Sequence, residues 1–184
     1  MVAALVLCGT LVACGGDDDA KGVLQEDDLP SVSKVSDITN IPWVSVCSQM
    51  KEAEASLIIG NKPEIVGRSY ILENDDYVSS IALGKSVNYS SLEAELDRVK
   101  GAIAECAASE PSEFTPLTGL DPGVLGYEET SGSDEPRYGA RVFAIQGDRI
   151  VVVGTRHEGA GEAKVDVVKL LPKALERAKD APKD

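Results

Sequence analysis

The side chains with the most distinctive chemistry are four cysteines and one histidine, which are Cys8, Cys14, Cys47, Cys106 and His157. A thiolate is a nucleophile and a metal ligand, and a thiol can also be acylated or oxidised to a disulfide. A structural zinc site needs about four cysteine or histidine ligands at characteristic spacings. One histidine and widely spaced cysteines do not supply such a set, so we predict no metal site.

His157 follows the strongest strand signal of the chain, Ile150-Val151-Val152-Val153, and precedes Glu158. A histidine can act as a general base, but a hydrolase also needs a nucleophile in a recognisable context. The sequence contains no Gly-x-Ser-x-Gly motif. We therefore predict no catalytic residue and no cofactor, and we interpret His157 as a surface or strand-end histidine. Its use in ligand binding, or as the base of an envelope hydrolase, is left open.

The first fourteen residues carry no charge and end in Leu11-Val12-Ala13-Cys14. This run is shorter than the roughly 20 apolar residues that a membrane-spanning helix needs, and it is typical of the apolar region of a signal peptide. Its end resembles the lipobox of bacterial lipoproteins. In that family a diacylglyceryl group joins the cysteine thiol, and a peptidase cuts just before this cysteine. The resemblance implies a signal peptide over residues 1–13 and a mature chain that begins at lipidated Cys14.

One feature departs from the usual signal peptide, because no Lys or Arg precedes Cys14. Two alternatives therefore stay open: a true start upstream of Met1, or a chance match within a buried N-terminal element. The sequence after the cysteine favours the lipobox, since Gly15-Gly16-Asp17 cannot continue an apolar helix. Two or three acyl chains, as this family carries, would anchor the protein firmly.

The composition limits the partners, since 31 acidic against 18 basic residues give a formal net charge of −13. Such a surface repels phosphate backbones, so we expect no nucleic-acid partner. It also repels anionic lipid headgroups, so attachment to a membrane must come from the acyl chains on Cys14. Residues 14–33 are rich in Gly and Asp and show no helix or strand period, which predicts a flexible acidic tether.

The predicted compartment decides the use of the cysteines. Cys8 would leave with the signal peptide and Cys14 would be lipidated, which leaves an even pair in an oxidising environment. We expect a Cys47–Cys106 disulfide, which would stabilise the domain by roughly 4 kcal/mol in the chain-entropy model. Two buried free thiols are the alternative.

Three helices are predicted. Ser90-Ser91-Leu92-Glu93 has the form of a capping box, in which Ser90 and Glu93 bond free amides at the start of a helix over about residues 91–108. Its apolar stripe, with Cys106 on the buried side, follows the helical period. A helix over about 162–179 has the stripe Val165, Val168, Leu171 and Leu175, and Pro172 should kink or split it. A shorter helix is expected over about 46–58.

Strands are expected over about 64–73, 77–87, 124–130, 138–145 and 149–156, with hairpin turns at Asn74-Asp75-Asp76 and Gln146-Gly147-Asp148. Helices and strands do not alternate regularly, which disfavours a doubly wound parallel sheet. We predict a single α+β domain over residues 34–184. It should hold an antiparallel sheet of four to six strands, with two or three helices packed on one face.

Pro42-Trp43 followed by Cys47, the helix that ends in Cys106, and Gly126-Tyr127 form a scattered pattern. It resembles the extracellular sensor domains of actinobacterial Ser/Thr kinases and their stand-alone lipoprotein relatives. The resemblance implies a non-catalytic domain with a cleft for an unidentified ligand, although that family usually carries two disulfides and only one is possible here. Trp43 either packs near the bridge or lines a pocket.

Together these features predict a lipid-anchored protein on the extracytoplasmic face of the cell membrane, with a sensor-like domain that binds a small ligand or an envelope protein. A lipid or glycolipid carrier and an envelope hydrolase are the alternatives.

Overall fold

The computed structural model describes residues 21–38, 45–60, 65–84, 91–131, 137–159 and 163–181. Cys8, Cys14 and Trp43 lie outside these residues, as does the predicted signal peptide. The predictions for them stay predictions.

The described chain forms three helices and a seven-stranded sheet. In chain order the elements are β1 (Val32–Asp37), α1 (Ser48–Gly60), β2 (Ile65–Leu72), β3 (Tyr77–Leu83), α2 (Leu92–Ser109), β4 (Phe114–Pro116), β5 (Leu125–Ser131), β6 (Arg137–Gln146), β7 (Arg149–Glu158) and α3 (Val167–Ala178). The strand order is β1-β2-β3-β7-β6-β5-β4, and every neighbouring pair is antiparallel. The α+β class is confirmed. The strand count exceeds the predicted four to six because the edge strands β1 and β4 were not predicted.

The β-branched run of β7 lies in the fourth of the seven strand positions, between β3 and β6, and both of its faces are covered. Ile150 and Val152 belong to one apolar cluster, and Val151 and Val153 belong to another. A strand buried on both faces has no polar alternation, which explains the continuous apolar run. The β6–β7 turn uses Gly147 at a φ of 62°, a conformation that glycine adopts without strain.

The helices cover both faces of the sheet, and the prediction of helices on one face is wrong. α1 and α2 pack on the face of Ile150, Val152 and Phe143. α3 packs on the opposite face, against Val151 and Val153. The continuous apolar run of β7 already indicated that both faces are covered, and the prediction of one covered face did not use this signal.

Two helix details differ from prediction. The N-cap of α2 is Ser91, whose Oγ accepts a hydrogen bond from the Ala94 amide at 3.2 Å; the predicted cap Ser90 lies outside the described residues. α3 continues through Pro172 as one helix rather than splitting. Pro172 has no amide hydrogen, so the carbonyl of Val168 loses its intrahelical donor. Both residues are exposed, and water can solvate that oxygen. Val168 was therefore wrongly placed on the buried stripe.

The predicted tether over residues 14–33 is wrong for its second part, because residues from Gly22 onward pack against the domain. Val23 and Leu24 are fully buried, and a 3₁₀ helix follows over Glu26–Asp28. Val23 and Leu24 are too few to show a helix or strand period, and the residues around them are mostly polar. The sequence pattern therefore did not indicate that this segment is buried. Residues 14–20 lie outside the described residues. Among those that are described, no helix is both long and apolar enough to cross a bilayer.

Candidate functional site

The predicted disulfide joins the two helices on one face of the sheet. Cys47 lies just before α1 and Cys106 lies near the end of α2, with their Cα atoms 5.8 Å apart. Both cysteines are fully buried. The bridge spans 59 positions of sequence, so the chain-entropy model assigns it about 4 kcal/mol. The amphipathic stripe of α2 placed Cys106 correctly on its inner side.

A buried carboxylate holds the segment that leads into this bridge. Glu129 on β5 accepts hydrogen bonds from the Ser45 Oγ at 2.6 Å and from the Val46 amide at 3.0 Å. Burial raises the pKa of the Glu129 carboxyl above its usual range. Gly139 is the cross-strand partner of Glu129. This contact ties the chain before Cys47 to the sheet.

A second buried carboxylate fixes α1 to the sheet. Glu54 on α1 forms an ion pair with Arg141 on β6 and accepts a hydrogen bond from the Tyr127 hydroxyl at 2.8 Å. Both partners in the ion pair have side chains only 2% exposed. Burial raises the pKa of Tyr127 well above its usual value, so this hydroxyl stays a donor. Sequence reasoning missed the pair because Glu54 and Arg141 lie far apart in the chain.

These polar residues belong to a larger change of character on this face. Next to the apolar row that contains Ile81, Val152 and Phe143, the register places a row of small or polar residues across β2, β3, β7, β6 and β5, which are Ser69, Ser79, Gly154, Arg141 and Tyr127. The face covered by α1 and α2 is therefore apolar toward the β6–β7 turn and polar toward the β2–β3 turn. Ser79, Arg141 and Tyr127 are all buried at the polar end, where they bond to other groups of the domain.

His157 lies near the end of β7, on the face opposite α1 and α2. Its Nδ1 donates to the Asp76 Oδ1 at 2.7 Å, and its side chain is 21% exposed. Asp76 is fully buried, and its other oxygen accepts hydrogen bonds from the Asn74 Nδ2 at 2.8 Å and the Lys164 amide at 2.9 Å. Asp76 therefore ties together the β2–β3 turn, the end of β7 and the segment before α3.

A carboxylate-oriented histidine supplies two of the three parts of a hydrolytic triad. Among the described residues, Asp76 is the only hydrogen-bond partner of His157. Cys47 and Cys106 cannot serve as the nucleophile because they are bonded to each other. The pair thus has a clear structural use, and in the part of the chain that is described no hydroxyl or thiol is hydrogen-bonded to the His157 ring. Sequence reasoning interpreted the Asp76 region as a turn and did not connect it with His157.

A cavity of about 420 Å³ lies where the N-terminal segment meets β2 and the end of α3. Its charged lining residues are Lys21, Glu26, Asp27, Arg68, Arg177 and Asp180. Its volume falls in the range of small-ligand sites, although its lining is more polar than most. Sequence reasoning missed it because residues up to 33 were interpreted as tether.

A second, more apolar groove of about 280 Å³ runs between α2 and the connection from β4 to β5, with Ile103, Leu120 and Leu125 among its walls. Gly126 allows the Leu117 side chain to lie close to the backbone of β5, because a Cβ at Gly126 would lie 2.8 Å from that side chain. The residues that the structure describes contain no group of three or more His, Cys, Asp or Glu side chains placed to hold a metal ion.

No family model matches the chain, and no curated protein matches it either. The lipobox and the sensor-domain likeness therefore remain resemblances of sequence pattern. Of the two residues considered for ligand binding, His157 lies on the face opposite the disulfide, and Trp43 lies outside the described residues.

Proposed function

We propose that the protein is an exported lipoprotein, anchored by acyl chains on Cys14, whose domain binds a ligand or an envelope partner without catalysis. The observation that carries the proposal is the Cys47–Cys106 disulfide. Structural disulfides persist in oxidising compartments and are rare in the bacterial cytosol. A buried bridge between two helices therefore supports export, and export is what the lipobox resemblance implies.

The polar clusters support a binding role rather than a catalytic one. Glu54, Glu129 and Asp76 each accept hydrogen bonds from groups on other elements, so each has a structural task. His157 would be the base of the hydrolase alternative, yet its partner Asp76 also holds the segment before α3. A non-enzymatic domain needs nothing more from these residues.

The packing favours a binding surface over a lipid-carrying interior. Large apolar side chains such as Phe143 and Met50 fill the space between the sheet and the helices α1 and α2. Leu170, Leu171 and the strand residues facing them fill the space under α3. A carrier would need this space to enclose its lipid.

The test is metabolic labelling with an alkyne fatty acid in an actinobacterial host, with the gene expressed together with its native upstream sequence. We expect the label on the protein and the protein in the membrane fraction. Cys14→Ala should lose both. Cys8→Ala is the matched control, because the same thiol is removed six positions upstream, and it should keep both.

Thiol alkylation on the same samples tests export separately. If the protein is exported, Cys47 and Cys106 resist alkylation until a reductant is added to the denatured chain. A labelled Cys14→Ala variant, or alkylation of both domain cysteines without reductant in cells, would refute the proposal.

A further inference from the structure

The 420 Å³ cavity has walls that are fixed in place by buried contacts. The Arg177 guanidinium donates through Nε and Nη2 to the two carboxylate oxygens of Asp28 at 2.9 and 3.0 Å. The Asp28 side chain is only 3% exposed, and it also accepts a hydrogen bond from the backbone amide of Gln25 at 2.8 Å. Burial alone would raise the Asp28 pKa, but hydrogen bonds from Arg177 and Gln25 outweigh it and hold this pKa below its usual value.

Gln25 carries the chain of contacts on to the second guanidinium. Its side-chain oxygen accepts a hydrogen bond from the Arg68 Nη1 at 3.1 Å, and Arg68 also pairs with Asp37 at 3.4 Å. The two arginines therefore line one cavity in orientations that their partners fix. Nη1 of Arg177 has no hydrogen-bond partner among the described residues, so it can donate to a ligand.

The charges around the cavity are mixed. Lys21, Arg68 and Arg177 supply three positive charges, and Glu26, Asp27 and Asp180 supply three negative ones. A simple anion would meet the three carboxylates, and a simple cation would meet the two fixed guanidinium groups. A ligand that carries both signs of charge can pair with both sets, which is the pattern of electrostatic complementarity.

Chain connectivity places this cavity near the proposed anchor. Lys21 is seven residues after Cys14, and seven extended residues span at most about 25 Å. If Cys14 is acylated, the cavity lies within that distance of the lipid headgroups. The membrane then offers a concentrated source of ligands with a phosphate and an amine.

We propose that this cavity binds a phosphate ester that also carries a primary ammonium group, as in a phosphoethanolamine headgroup. The phosphate pairs with Arg68 and Arg177, and the ammonium donates to the carboxylates around Asp27. The assignment deepens the proposed binding function. Only the source of the ligand, a membrane lipid or a free headgroup, depends on the anchor at Cys14.

The test uses the full chain with Cys14→Ser, labelled with ¹⁵N in non-ionic detergent, and follows amide shifts during titration. The probes are glycerophosphoethanolamine, glycerophosphocholine, glycerol 3-phosphate and ethanolamine. We expect saturable shifts in Gly22 to Asp28 with glycerophosphoethanolamine. Each of the other probes should bind at least about tenfold more weakly, because each lacks at least one charge-assisted contact.

Two variants carry the assignment to side chains. Arg68→Gln should weaken glycerophosphoethanolamine binding about tenfold, with Arg137→Gln as the control outside the cavity. Asp27→Asn should weaken glycerophosphoethanolamine but strengthen glycerol 3-phosphate, and Asp27 is exposed, so the fold should survive. Asp148→Asn, in the exposed β6–β7 turn, should change neither.

Vesicles separate the two sources. Binding to phosphatidylethanolamine above that to phosphatidylcholine, lost in Asp27→Asn, assigns the headgroup to a membrane lipid. Binding of the soluble headgroup without this difference supports the same chemistry with a free ligand. Absence of saturable shifts with glycerophosphoethanolamine, or equal affinity for glycerol 3-phosphate, overturns the assignment. Since Cys14 is replaced throughout, such a failure is independent of the labelling test of the anchor.

Discussion

The removal of the disulfide gives the most quantitative prediction. Each of Cys47→Ala, Cys106→Ala and the double variant loses the same cross-link over 59 positions, which is worth about 4 kcal/mol in the chain-entropy model. A domain of roughly 150 residues has an unfolding entropy of about 0.3 kcal/mol/K. The expected loss in Tm is therefore about 13 °C. The loss of about 4 kcal/mol is itself large against a total stability of about 5–15 kcal/mol.

The assay is thermal unfolding by circular dichroism of the full chain, refolded under oxidising conditions. All three variants should melt within a few degrees of one another, because the first substitution already breaks the bridge. Cys8→Ala should melt like the parent. Losses that add up, with the double variant falling about twice as far as each single one, would show that the cysteines contribute as separate packed side chains. A Tm unchanged within about 2 °C would refute the cross-link as a source of stability.

The buried polar residues give three further predictions. Glu129→Gln should raise the free energy of unfolding in urea at pH 7 and leave it unchanged near pH 4. The raised pKa of Glu129 means that its ionisation opposes folding as pH rises above the usual carboxyl pKa. A decrease in the free energy of unfolding at pH 7 would contradict the burial argument. Arg141→Met should lower the free energy of unfolding by about 3–5 kcal/mol, because Glu54 loses its ion-pair partner. Glu54→Leu combined with Arg141→Met should recover most of this loss. Equal unfolding midpoints for the single and double variants would count against the pair. His157→Ala should cost about 1 kcal/mol and Asp76→Ala about 3 kcal/mol, since Asp76 holds three groups; the reverse order in urea midpoints would refute its role as the centre of this contact set.

The sequence was most informative where local pattern determines structure. The stripe of α2 predicted the helix, its bounds within one residue, and the inward position of Cys106. Gly147 and the turn before Tyr77 located two hairpins correctly. In each case a few neighbouring residues carry the whole signal, so no distant contact had to be known.

The errors lie where distant contacts decide. Val23 and Leu24 are buried because of β2 and α3 residues that are far away in sequence, and Tyr70 donates its hydroxyl hydrogen bond to the Leu24 carbonyl. The same is true of Asp28, whose partner Arg177 lies 149 positions away. The composition of the N-terminal segment is polar and resembles that of a linker. The cavity depends on contacts with distant residues, so it could not be predicted from this composition.

The residues of α3 that face the sheet were equally hidden. Val168 and Leu171 fit one helical stripe, yet only Leu171 is buried, because the stripe that faces the sheet also contains Leu170 and Ala174 and leaves Val168 outside it. The ion pair between Glu54 and Arg141 left no sequence signal, since a charged residue on a helix is normally interpreted as exposed.

We propose that acyl chains on Cys14 hold this acidic domain at the membrane. The most direct measurement is mass spectrometry of the N-terminal peptide of the protein extracted from its own cells. We expect a peptide that begins at Cys14 and carries a diacylglyceryl group on its sulfur. A peptide with a free Cys14 thiol, still joined to Ala13 and recovered from the cytosolic fraction, would contradict it.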